Sequence, residues 1–302
     1  DTNVINGITF LRTDDAIIDN VTISNNNIQN NTADGIYLHA LGGFQDQLDF
    51  TIRANLIGDN TFNGINLRTE ADAPMNTTIT NNLIENNGTN GIQLTAFEIS
   101  AADQEIQTGV WTGNTIRNNQ QHGIQISAVS GNGAAQPLII GQNGTDPATG
   151  LSLGNLITGN FLDGIEVNGA GDMEINNNMI SLNGRNAAGV ASTEADGVAG
   201  VDLNIPSGVG ELRLRMTNNT IQSNAGDGLE AFSRAFFGNF TAVTVTALGN
   251  TFDGNTGRGI DLLNAGDAYM NFRLGDNTLA GGNVVSNNGL EGIYVVNTPA
   301  TN

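Results

Sequence analysis

Asn82-Leu83-Ile84-Glu85-Asn86-Asn87-Gly88-Thr89-Asn90-Gly91-Ile92-Gln93-Leu94 is the stretch that decides the fold. Its fixed positions, Asn-x-Ile-x-x-Asn-x-x-x-Gly-Ile-x-Leu, recur nine times in 302 residues, with related apolar residues replacing Ile or Leu in some copies. The first asparagine is Asn26, Asn55, Asn82, Asn114, Asn155, Asn178, Asn219, Asn250 and Asn283; the second is Asn31, Asn60, Asn87, Asn119, Asn160, Asn183, Asn224, Asn255 and Asn288. The glycine is Gly35, Gly64, Gly91, Gly123, Gly164, Gly200, Gly228, Gly259 and Gly292. Eight copies keep this spacing without a gap, whereas in the sixth 17 positions instead of 4 separate Asn183 from Gly200, an insertion of 13 residues around 187–194.

A period of two within Gly-Ile-x-Leu points Ile and Leu one way and x the other, as in a strand. Stacking successive copies about 4.8 Å apart builds three aliphatic columns, headed by Ile36, Leu38 and Ile28, and two columns of asparagine that can pass amide hydrogen bonds lengthwise. Gly and Asn tolerate the left-handed backbone of sharp corners, which is the expected reason for both at these positions. Further strands, such as Val21-Thr22-Ile23 and Phe50-Thr51-Ile52, precede each first asparagine, and Trp111 takes the slot of Ile52 and Ile79 and is expected in the core. The pattern predicts an all-β, right-handed parallel β-helix solenoid of about nine to ten coils, one domain over residues 1–302, cut from a larger protein. No apolar period of 3.6 persists for even three turns, so helical folds fail.

Composition narrows the function classes. Ten Arg and no Lys stand against 30 acids, a net charge of -20, which repels nucleic acid and anionic membranes. No run of 18 apolar residues is present, so membrane insertion is not expected. Cysteine is absent, which removes disulfides, thiolate nucleophiles and thiolate metal sites. An acidic, lysine-free, Asn- and Thr-rich solenoid fits an extracellular or cell-surface location.

The repeat resembles that of the pectate-lyase-like superfamily of parallel β-helices and covers nearly the whole chain. The resemblance implies the fold, and it implies that any carbohydrate site lies on the outer face of one sheet between longer loops. It does not extend to a specific enzyme. A polygalacturonase-like site would need an Arg-x-Lys that a chain without lysine cannot supply, and Gln121-His122-Gly123, Asp14-Asp15 and Arg213-Leu214-Arg215 are only fragments of such a set. Asp146-Pro147 continues as Ala148-Thr149, not as an epimerase-like His-Glu. No catalytic residues are assigned.

Candidate binding residues come instead from the outward x positions, Tyr37, Asn66, Gln93, Gln125, Glu166, Asp202, Glu230, Asp261 and Tyr294. Glu166, Asp202, Glu230 and Asp261 form a carboxylate strip for carbohydrate or a cation, with Ca²⁺ as the ion such oxygens suit and no cofactor required. The insertion before Gly200 threatens to displace Asp202. His39 and His122 read as surface or turn residues. Phe232, Phe236, Phe237 and Phe240 form an aromatic docking patch. The expected function is a non-catalytic structural or adhesive module that stacks on itself into filaments. The alternatives are a carbohydrate-active or carbohydrate-binding β-helix using the acidic strip, and a Ca²⁺-dependent surface-layer module.

Overall fold

The computed structural model describes residues 5–12, 20–41, 48–70, 75–97, 107–127, 137–147, 149–185, 189–192, 198–205, 210–235, 241–276, 278 and 281–298. Among the described residues, strands follow one another in a fixed cycle through three parallel sheets: ten strands in sheet A, nine in sheet B and nine in sheet C. The first cycle is Ile8–Arg12 in sheet A, Asn20–Ser24 in sheet B and Asn27–Gln29 in sheet C, before Ile36–Ala40 returns to sheet A. Every strand pairs only with its counterparts one coil away, and like residues are in register, for example Ile65 with Ile92 and Ile92 with Ile124.

Inside run the aliphatic columns, fully buried from Ile36 through Ile124 to Ile260 on sheet A and from Ile57 to Phe252 on sheet C. Trp111 lies wholly in the core, aligned with Ile79 and Ile140, and its indole N–H donates to Thr77 Oγ1 at 2.8 Å. At roughly 1.5–3 kcal/mol for each buried aliphatic side chain, this filled cylinder is the main source of cohesion.

Two asparagine seams brace the corners. From Asn26 to Asn283 each Nδ2 donates to the Oδ1 of the next asparagine at 2.9–3.1 Å. From Asn31 to Asn288 the same bonds measure 2.7–3.1 Å.

The expected reason for the motif glycines needs correction. None of them from Gly35 to Gly259 has a left-handed φ. A Cβ there would instead lie 2.5–2.8 Å from the carbonyl oxygen of the next coil's glycine. The left-handed residue is the one before most ladder asparagines, as at Asn81 (φ 56°), Asn86 (φ 57°) and Asn118 (φ 55°). Motif glycines are thus close-packing positions, and backbone curvature is assigned to their neighbours.

Candidate functional site

The outer face of sheet A carries the x positions as one unbroken column. Gln125 pairs with Glu166, Glu166 with Asp202, Asp202 with Glu230, Glu230 with Asp261 and Asp261 with Tyr294. The insertion therefore leaves Asp202 in register: strand pairing on both sides holds Val201–Leu203 in line.

A second column, which the sequence reading missed, runs beside the first. It consists of the residue before each motif glycine: Asp34, Asn63, Asn90, His122, Asp163, Ala199, Asp227, Arg258 and Glu291. Its side-chain oxygens accept the N–H of the same position one coil on: Asp34 from Asn63 at 2.9 Å, Asn90 from His122 at 3.1 Å, Asp163 from Ala199 at 2.5 Å. The signal was present in the recurring Asp and Asn before glycine, but a third seam is hidden by the His, Ala, Arg and Glu that interrupt it.

Where the two columns meet, charged groups are drawn together. His122 is buried at 4% exposure, which corrects its reading as a surface or turn side chain. Its Nδ1 lies 3.0 Å from Asp163 Oδ2 and its Nε2 3.3 Å from Glu166 Oε2. Glu166 Oε2 also accepts from Gln125 Nε2 at 2.6 Å. Burial raises the Asp163 pKa from its ordinary value, and the His122 hydrogen bond and charge oppose that rise.

Near the far end of the strip, Arg258 Nη1 donates to Asp261 Oδ2 at 2.6 Å, its Nε to Glu291 at 3.0 Å, and its guanidinium lies 4.0 Å over the Tyr294 ring. Asp261 is 2% exposed, and its Oδ1 has no hydrogen-bond partner among the described residues. Burial first, then the charge of nearby Asp261, raises the pKa of Asp227, whose protonated form can donate to Asp261. A carboxyl group with a raised folded-state pKa binds its proton more tightly than the unfolded chain does. Stability from this group is therefore fullest in acid and is lost as pH rises through the raised value. Asp227→Asn supplies the donor permanently and keeps the oxygen that accepts Arg258 N–H. It should raise stability at pH 7 by about 0.5–1 kcal/mol, a figure discounted for partial exposure, and flatten the rise in melting temperature as pH falls from 7 toward the ordinary Asp range. Thermal melts of both chains across that range check it, and a variant less stable at pH 7 would count against the shared proton.

Toward the N-terminal end, His39 lies on the outer face of sheet A, with Nδ1 3.1 Å from the Tyr37 hydroxyl and Nε2 3.4 Å from Glu70. Glu70 is also paired with Arg68. Burial lowers the His39 pKa and raises that of Tyr37. Of the aromatic patch, Phe232 is half-buried on the same outer face two residues beyond Glu230, with Arg234 4.8 Å over its ring. Phe236, Phe237 and Phe240 lie outside the described residues.

A family model described as "Right handed beta helix region" matches residues 3–100 and 107–302. Among solved structures, the A-module of the mannuronan C-5 epimerase AlgE4 of Azotobacter vinelandii is similar at 14% identity, over 94% of this chain and 89% of that one, with a TM-score of 0.38. No curated protein sequence matches the chain. Matched along almost its whole length, the chain belongs to the right-handed parallel β-helix family.

Proposed function

We propose that this chain is a carbohydrate-binding β-helix of the cell surface or extracellular space, and that it lays an extended, uncharged polysaccharide along the outer face of sheet A. The observation that supports this is the recessed polar column: none of Tyr37, Asn66, Gln93, Gln125, Glu166, Asp202, Glu230, Asp261 and Tyr294 is fully exposed. An inert outer face would leave its charges in water at little cost, whereas sinking a carboxylate costs several kcal/mol before its partners are counted. Here the second column supplies those partners, His122 and Arg258, and the result is a line of fixed amide donors and carboxylate acceptors suited to sugar hydroxyls. Tyr37 adds an aromatic ring for the apolar side of a sugar ring. Net charge favours neutral over acidic polymers.

Titration of neutral and acidic polysaccharides by calorimetry, with Ca²⁺ and with chelator, tests the reading. Neutral polymer should bind, and Gln93→Ala or Glu230→Gln should weaken it at least about tenfold, the scale of one lost charge-assisted hydrogen bond. Equal weakening by Thr51→Ala and Thr246→Ala on the outer face of sheet B, or no binding to any neutral polymer, would refute it.

A further inference from the structure

His122 is one of two histidines in the chain, and its two nitrogens face different carboxylates. Two lone pairs cannot face each other across either gap, so each must hold a positive charge, either a proton or a metal ion. On the Nδ1 side Asp163 Oδ2 stands at 3.0 Å, within N–H···O reach although the two groups are not aligned as a hydrogen bond. The Nε2 side differs. A charge-assisted bond there would close to about 2.7–2.9 Å, whereas the observed 3.3 Å to Glu166 is close to the ligand-to-ligand edge, about 3.3–3.4 Å, of a tetrahedral ion with bonds of about 2.0–2.1 Å.

The surroundings fit the same assignment. Metal-ligating histidines usually give their other N–H to a carboxylate, which fixes the tautomer, and Asp163 stands in that place. Its Oδ1 is held by the Ala199 N–H at 2.5 Å, so Oδ2 is kept toward the ring. Gln125 holds Glu166 from the side at 2.6 Å. All three residues are buried, and one ligand atom from each lies within 4.8 Å of the others. His39 makes the contrast: the carboxylate at its Nε2 is Glu70, which already has the Arg68 guanidinium.

We propose that His122 Nε2 and the Glu166 carboxylate bind one divalent transition ion of the zinc type, that Asp163 orients the imidazole as an outer carboxylate, and that the remaining positions are open on the outer face of sheet A. Imidazole with carboxylate suits Zn²⁺ and its Co²⁺ surrogate, and one nitrogen ligand disfavours Ca²⁺. The inference does not rest on the carbohydrate reading and survives its failure.

Metal-free chain titrated with ZnCl₂ or CoCl₂ should take up one ion and melt higher. Histidine ¹⁵N spectra of the unsubstituted chain should move at His122 Nε2, with Nδ1 protonated throughout, and stay still at His39. His122→Gln and Glu166→Gln should abolish uptake at this site, His39→Gln should leave it unchanged, and Asp163→Asn should weaken it about 10- to 100-fold at the same stoichiometry. Absence of uptake for both ions, a shift confined to His39, or full affinity in Glu166→Gln would overturn the proposal. The spectra decide even if a substituted chain fails to fold.

Discussion

Replacing Asn114 by alanine is expected to lower the unfolding free energy by about 2–6 kcal/mol, as the midpoint of a urea transition would report. Asn114 stands in the middle of the seam between sheets B and C, almost without exposure. Its Oδ1 accepts both the backbone N–H and the Nδ2–H of Asn82, each at 3.0 Å. Its Nδ2 donates to the Ile79 carbonyl at 2.7 Å and to Asn155 Oδ1 at 3.0 Å. Alanine would orphan the Asn82 backbone N–H and remove the Asn114 donor from the Ile79 carbonyl, at about 1–3 kcal/mol for each buried group left unpaired, while Asn82 Nδ2 keeps the Ile52 carbonyl and Asn155 Oδ1 keeps the Asn114 N–H. Because a solenoid couples only neighbouring coils, a break at its centre should also broaden the transition. Asn26→Ala, at the exposed end of the same seam, should cost under about 1 kcal/mol. Equal costs at the two positions would mean that the amide seam adds nothing to the hydrophobic stack.

Gly123→Ala is the second large effect, expected at about 3 kcal/mol or more. The added Cβ would lie 2.6 Å from the Gly164 carbonyl oxygen, 2.6 Å from Ile157 Cγ2 and 2.8 Å from Asn160 Nδ2. A backbone atom, a core side chain and a seam amide crowd it together, and overpacking with a rigid neighbour exceeds the usual cost of about 1–3 kcal/mol. The cause can be separated from backbone conformation. Gly159 has φ +66°, in the position that Asn118 and Asn86 fill in neighbouring coils. Asparagine, which tolerates that region, should therefore be accepted at Gly159 within about 1 kcal/mol and be worse than alanine at Gly123. Tolerance of alanine at Gly123 would show that the coils can part and that close approach does not hold the corner.

The spacing of Asn82, Ile84, Asn87, Gly91, Ile92 and Leu94 was enough to assign the fold, because a stack of like coils imposes the same demand at the same position each time. Core columns, asparagine seams and the burial of Trp111 were legible for that reason. The motif glycines were legible as positions and misread as to cause, since a close approach involves a partner about 30 residues away while a left-handed corner is a local property. His122 and Asp163 were not legible as a pair, because their column changes residue type from coil to coil and shows no repeat.

Period, then, is what the amino-acid order determined unaided: which side chains face in, which face out, and where the chain turns. Register between coils belongs to the tertiary structure alone. It kept Asp202 in line despite the insertion, set His122 between Asp163 and Glu166, and brought Asp227 to Asp261. Lateral hydrogen bonding aligns residues 23 to 44 positions apart, and no local propensity carries that information.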